Sequence, residues 1–191
     1  KLREITLEHD ILLIMDEVQT GLGATGKMWC FEHFGLVPDI ISFGKKMQVC
    51  GIMASDRINE VDSVFKVSSR INSTWGANLV DMVRAQRILE IIEQDNLVEN
   101  AARMGDHLLK RIHEVAENSR THITNIRGRG LFAAFDLSST GERDQTVSTC
   151  FDKGLAVLKC GEKTIRFRPS LNITKEEIDN GIDILAQALN A

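Results

Sequence analysis

The chain has no apolar stretch approaching the length of a membrane span, no basic patch, no C-x-x-C pair, no internal repeat and no low-complexity segment. Each absence removes a class of function. A spanning helix needs about 20 consecutive apolar residues, so no membrane partner is expected. Nucleic-acid binding rests on clustered Lys and Arg interleaved with aromatics. Here 23 Lys and Arg are scattered through a chain of net charge -4, so no nucleic acid is expected either. Cys30, Cys50, Cys150 and Cys160 show no metal spacing with the five histidines. Reduced thiols, and the lack of a signal-peptide pattern in the opening residues, predict a cytoplasmic setting. His107 and His113 stand six apart on a predicted helix, off the spacing for joint ligation, and no histidine is assigned a role.

What is present suits an ordinary globular chain: 191 residues, 43% hydrophobic and 26% charged, enough for one domain or two small ones. Two short apolar runs stand out. Leu12-Leu13-Ile14-Met15 ends on Asp16, and Ile40-Ile41-Ser42-Phe43-Gly44 ends on Lys45. Such runs read as buried parallel strands, here over 11–15 and 40–43. Ligands of open α/β sheets sit beyond the carboxyl ends of the strands. The two runs therefore bring a carboxylate and an amine to one rim. Pyridoxal phosphate needs that pair: a lysine to hold its aldehyde and an acid beside its pyridinium nitrogen.

Residues 28–35 read as a short helix and 51–54 as a third short apolar element, with a short helix near 59–65. Helical periodicity follows over 79–92, with Leu79, Met82, Val83, Leu89 and Ile92 on one face, and over 97–117. Strands are expected at 123–126 and 131–137, separated by a turn Arg127-Gly128-Arg129-Gly130 with its arginines in ion pairs. A helix near 143–153 should end at Gly154, before strands at 155–158 and 165–168. The last helix opens with a capping box at Thr174 and Glu177, a staple of Ile173 on Ile178, and a stripe of Ile178, Ile182, Leu185 and Leu189. Leu2, Ile5 and Leu7 read as the end of a helix feeding the first strand. That is half of a crossover, which requires an earlier strand. With Lys rather than Met at position 1, the expectation is the C-terminal part of a larger protein.

Each candidate has a plainer reading. Asp16 alone reads as a solvated acid at a strand end, and Lys45 as a surface lysine. Lys46 is a rival to Lys45, though strand alternation would send it to the other face. Arg166 and Arg168 flank Phe167, so both face one way. One of them would clamp a carboxylate bidentately, or both are surface ion-pairing groups. Thr74 would donate to a phosphate, or cap the helix that follows, or do both.

Asp16-Glu17-Val18-Gln19-Thr20-Gly21, Gly26, Pro38-Asp39, Phe43-Gly44-Lys45-Lys46 and Ile165-Arg166-Phe167-Arg168-Pro169 together resemble the class III, fold-type I aminotransferases that use pyridoxal 5'-phosphate. The resemblance implies an α/β fold. Residues 1–92 would belong to a large, mostly parallel-sheet cofactor domain and 93–191 to a small α/β domain. It implies that Asp16 pairs with the pyridinium nitrogen and that Val18 packs on the ring. Gln19 would lie at the ring O3′ side, and Lys45 would hold the cofactor and transfer protons. Thr74 would reach a neighbour's phosphate across a homodimer interface, and Arg166 would bind the substrate α-carboxylate.

The segments Phe43 to Gly51 and Ser69 to Gly76 are most similar to the branch that moves the terminal amine of L-lysine to 2-oxoglutarate. The products there are glutamate and 2-aminoadipate semialdehyde. The branch using 4-aminobutyrate is the nearest alternative. By the same resemblance, the phosphate loop, a ring-stacking aromatic, a second substrate arginine and a glutamate gating Arg166 would precede this sequence. A chain lacking them would be an inactive fragment or an interaction module.

Overall fold

The computed structural model describes residues 1–67, 69, 70, 74, 76 and 78–190. Ile71, Asn72, Ser73 and Trp75, part of the segment resembling the lysine branch, lie outside the described residues. The chain divides into two compact units: Lys1–Leu22 with Lys27–Asp95, and Gly23–Gly26 with Asn96–Ala191.

In the first unit, helix α1 (Leu2–Glu8) leads into strand β1 (Ile14–Asp16). β1 pairs in parallel with β2 (Ile40–Phe43), which pairs antiparallel with β3 (Gly51–Ala54). The register sets Ile14 beside Ile40 and Asp16 beside Ser42. The first strand was expected over 11–15, but the ladder begins later. The Leu13 N–H is taken by the Asp39 carboxylate at 2.8 Å, and its carbonyl accepts from the Asp39 and Ile40 amides. Regular pairing therefore starts at Ile14 and carries Asp16 as its last residue. β1 is an edge strand of a three-stranded sheet, and Ile14 is 60% exposed.

The buried carboxylate of Asp39 ties these pieces together. Arg3 of α1 meets both its oxygens, at 2.6 and 3.0 Å, and Arg57 stands 3.4 Å away. Arg57 lies in a 3₁₀ turn, Asp56–Glu60, where a helix nearer 59–65 was expected. Helix α2 (Leu79–Gln94) is capped by Asn78, whose side chain accepts from the Val80 amide. Its buried residues are Ala85 and Ile92, whereas Leu79 and Val83 of the expected apolar face are exposed.

The second unit packs α3 (Leu97–Asn118), α4 (Thr140–Asp152) and α5 (Lys175–Leu189) around four antiparallel strands, β4 (Thr124–Arg129), β5 (Phe132–Asp136), β6 (Leu158–Cys160) and β7 (Thr164–Phe167), in the order β4-β5-β7-β6. Leu108, Ile112 and Val115 of α3 meet Phe135, Ile165 and the stripe Ile178, Ile182, Leu185 and Leu189 in one core. The capping box of α5 forms as its sequence predicts, with Thr174 and Glu177 bonding reciprocally.

Two strand boundaries depart from the sequence reading. Strand β4 spans Thr124–Arg129, so Arg127, Gly128 and Arg129 pair with β5 (Phe132–Asp136) rather than forming the turn. Gly128 permits this, because a Cβ there would lie 2.6 Å from the Phe132 carbonyl oxygen. The turn falls on Gly130, in the left-handed region at φ 53°. Arg127 forms its expected ion pair, with Asp136 at 3.0 Å.

Strand β6 spans Leu158–Cys160 instead of 155–158. Leu155 is occupied by the end of α4, where Gly154 turns left-handed and the Leu155 amide bonds the Cys150 carbonyl at 2.8 Å. That is a Schellman-type termination. Strand β7 is Thr164–Phe167.

Ile112 is fully buried at the centre of the second core, whereas Thr174 supplies one helix cap. Ile112→Ala is expected to cost about 2–5 kcal/mol of unfolding free energy, and Thr174→Ala about 1 kcal/mol. Urea denaturation checks the ranking. Equal losses would contradict the core described.

Candidate active site

Strand β1 ends on Asp16, and the parallel register puts Ser42 of β2 beside it. The Asp16 Oδ1 accepts from the Ser42 hydroxyl at 2.9 Å and from the Val18 amide at 3.0 Å. Both bonds favour the ionised form, and the Lys45 ammonium adds a weaker attraction. Together they hold the Asp16 carboxyl below its ordinary range, against the opposing effect of burial. The expected pair therefore does share one rim, and both side chains are exposed.

Lys45 lies beyond the end of β2, in a 3₁₀ turn over Lys45–Met47. Its φ of 29° is positive, which L-residues with a bulky side chain rarely adopt. Backbone of this kind clusters at functional sites, where surrounding structure holds it. Here the Met47 amide bonds the Gly44 carbonyl and the Gln48 amide bonds the Lys45 carbonyl, at 2.9 and 3.0 Å. Gln48 is braced in turn by Arg84 of α2 at 3.0 Å.

Glu17, which the sequence pattern assigns no role, is a buried part of this rim. It is 2% exposed and points away from Asp16, as alternation along a strand end dictates. Its carboxylate accepts from the Phe31 amide at 2.8 Å and from the Thr20 hydroxyl, pinning the loop that carries Val18 and Gln19. An acid next to Asp16 on the inward side of an apolar run was the available signal. Gly21 closes that loop against Trp29, where a Cβ would lie 2.6 Å from the indole ring. The expected helix at 28–35 is a 3₁₀ turn, Cys30–Phe34, and the Trp29 ring packs on Phe43 of β2 at 6.3 Å between centroids.

Asp16, Val18, Gln19 and Lys45 thus gather on the first unit. Thr74 lies in an exposed turn of the same unit. Arg166 stands on β7 of the second unit, paired with Ala134 and Leu158. It is half-buried, and its Nε is a buried donor without a hydrogen-bond partner among the described residues. Phe167 faces the opposite way, into the core. All four cysteines are free thiols, and burial pushes Cys150 up to about 11. Among the described residues no cluster of His, Cys, Asp and Glu suits a metal ion, and no helix is long and apolar enough to cross a membrane.

The family description "Aminotransferase class-III" matches residues 1–189. The L-lysine-epsilon aminotransferase of Mycobacterium tuberculosis is 48% identical over 98% of this chain and 42% of its own length. A probable mitochondrial 4-aminobutyrate aminotransferase of Caenorhabditis elegans is 36% identical over 98% of this chain and 38% of its own. Among solved structures, the lysine aminotransferase from M. tuberculosis in its internal aldimine form superposes with a TM-score of 0.94. It is 48% identical, covering 98% of this chain and 43% of that one. The chain thus spans about two fifths of the length of these relatives.

Loss of the Ser42 hydroxyl removes one of the two bonds that hold Asp16 ionised. In Ser42→Ala the Asp16 carboxyl is expected to titrate at higher pH than in the parent, by carboxyl NMR. An unchanged titration would contradict the geometry.

Proposed function

The chain belongs to the class-III aminotransferases, and on that premise we propose that it carries the acid and lysine of a pyridoxal phosphate-dependent ω-aminotransferase. The amine donor in this reading is L-lysine and the acceptor 2-oxoglutarate, giving 2-aminoadipate semialdehyde and glutamate. One observation carries the proposal: parallel pairing of β1 and β2 sets an ionised Asp16 and the Lys45 amine on one rim.

The residues present fit the cofactor by their chemistry. A carboxylate held ionised by two donors suits a protonated pyridine nitrogen, through a charge-assisted bond. An exposed lysine on a constrained turn suits attachment of an aldehyde. Val18 and Gln19 sit on the loop directly after Asp16, where the ring face and O3′ would be met. Pyridoxal phosphate, when bound, supplies an electron sink for the carbanion left by proton loss from the substrate carbon.

The remaining work falls to the chain. Asp16 keeps the ring nitrogen protonated, because its own carboxyl releases its proton at lower pH than an ordinary aspartate. Lys45 would hold the cofactor's aldehyde, and as a free amine it would serve as general base and then acid for the substrate proton. Arg166 would bind a substrate carboxylate, and a half-buried guanidinium on β7 supports that assignment. Thr74 would help hold the cofactor phosphate of a second copy in a homodimer. The free thiols support a cytoplasmic setting.

Lysine is preferred over 4-aminobutyrate as donor on the higher identity to a lysine enzyme. The test is borohydride reduction of the chain with pyridoxal phosphate, followed by peptide mass mapping. A single phosphopyridoxyl adduct on Lys45, absent from Lys45→Ala and depleted by L-lysine but not by 4-aminobutyrate, is expected. Label spread over many surface lysines would overturn the cofactor reading. Depletion by 4-aminobutyrate alone would overturn the donor.

A further inference from the structure

Lys46 was the rival to Lys45 on sequence, and strand alternation was expected to separate them. The strand stops at Phe43, and the 3₁₀ turn separates them instead. Neighbours in such a turn point about 120° apart. Lys45 is left exposed, while Lys46 is half-buried and reaches back across the sheet end. Its Nζ donates to the Gln19 carbonyl at 2.7 Å and to the Gly21 carbonyl at 2.9 Å.

We infer that Lys46 is a positioning residue, whose ammonium fastens the Val18–Gly21 loop to the turn that presents Lys45. Three observations support it. Gly21 is buried, and a buried carbonyl needs a donor. The loop's other side is already fixed, by Glu17 on Phe31 and by Gly21 on Trp29, so Lys46 closes the remaining side. The loop also ties back to Asp16 through the Val18 amide. A charged donor spanning two carbonyls therefore sets the spacing between the acid's loop and the lysine's turn, and bonds to charged groups are the stronger kind. An amine engaged in this way is poorly placed to attack an aldehyde. The double lysine is thus a division of labour, an inference that rests on the reading of Lys45 as the attaching amine.

Competitive acetylation of the chain, with the two lysines resolved by fragment-ion mass spectrometry, tests the engaged amine without any variant. Lys45 is expected to react at least about tenfold faster than Lys46, the discrimination that bonds to a charged donor supply. Equal rates, or faster reaction at Lys46, would overturn the inference. Hydrogen exchange then tests the clamp. In Lys46→Met the Gly21 amide is expected to exchange about tenfold faster or more, with helix α3 unchanged and Lys46→Arg recovering part of the protection. Unchanged Gly21 exchange would overturn the clamp. If Lys46→Met also loses protection in α3, the acetylation ratio decides. Neither measurement uses the cofactor, so a chain that fails to label at Lys45 would sink the cofactor reading while the role of Lys46 is decided separately.

Discussion

The buried carboxylate of Asp39 is the contact on which the first unit depends. Four segments converge on it: α1 through Arg3, the entry to β1 through the Leu13 amide, β2 directly after it, and the Asp56–Glu60 turn through Arg57. A carboxylate removed from water is costly unless fully paired. Here two guanidinium groups and a backbone amide supply the partners, and Arg3, its strongest partner, helps hold the carboxyl down to about 2. The pairing of β1 with β2 starts beside this contact. The register it fixes runs three residues on to Asp16 and Ser42, and from Ser42 three more to Lys45. The rim chemistry is thus set from the opposite end of the strands.

In the proposed reading, that arrangement separates stability from function along each strand. Asp39 and Leu13 lie at the buried end, while Asp16 and Lys45 are exposed at the other. The intervening loops are fastened from within, by Glu17 on one side and Lys46 on the other. Polar groups that look catalytic in the one-dimensional chain, such as Glu17 next to Asp16 or Lys46 next to Lys45, turn out to hold their neighbours in place. The left-handed backbone at Lys45 belongs to the same pattern, a local cost sustained by surrounding bonds.

Much of this was legible in the sequence, for identifiable reasons. Apolar runs ending on Asp16 and Lys45 report strand ends whatever surrounds them, and the Thr174 capping box is a local signal that formed as written. What was hidden depends on long-range partners. The start of β1 was misplaced because Asp39, 26 residues on, takes the Leu13 amide. The turn expected at Arg127 to Gly130 became strand because Gly128 lets β5 approach closely, which no single-strand pattern encodes. The exposed Leu79 and Val83 of α2 show that periodicity gives a face but not what covers it.

The measurement that bears most directly on this account is the pH dependence of first-unit stability, by hydrogen exchange at the Ile14–Asp16 and Ile40–Phe43 amides, in the parent and in Asp39→Asn. A carboxyl depressed on folding contributes stability that is present above the unfolded value of 3.8 and lost as pH falls toward about 2. The shift corresponds to about 2 kcal/mol. The parent is expected to lose protection over that acid window. The variant should be less protected at neutral pH and nearly flat across the same window. Matching profiles in the two proteins would contradict the claim that the buried carboxylate sets the register of the two strands.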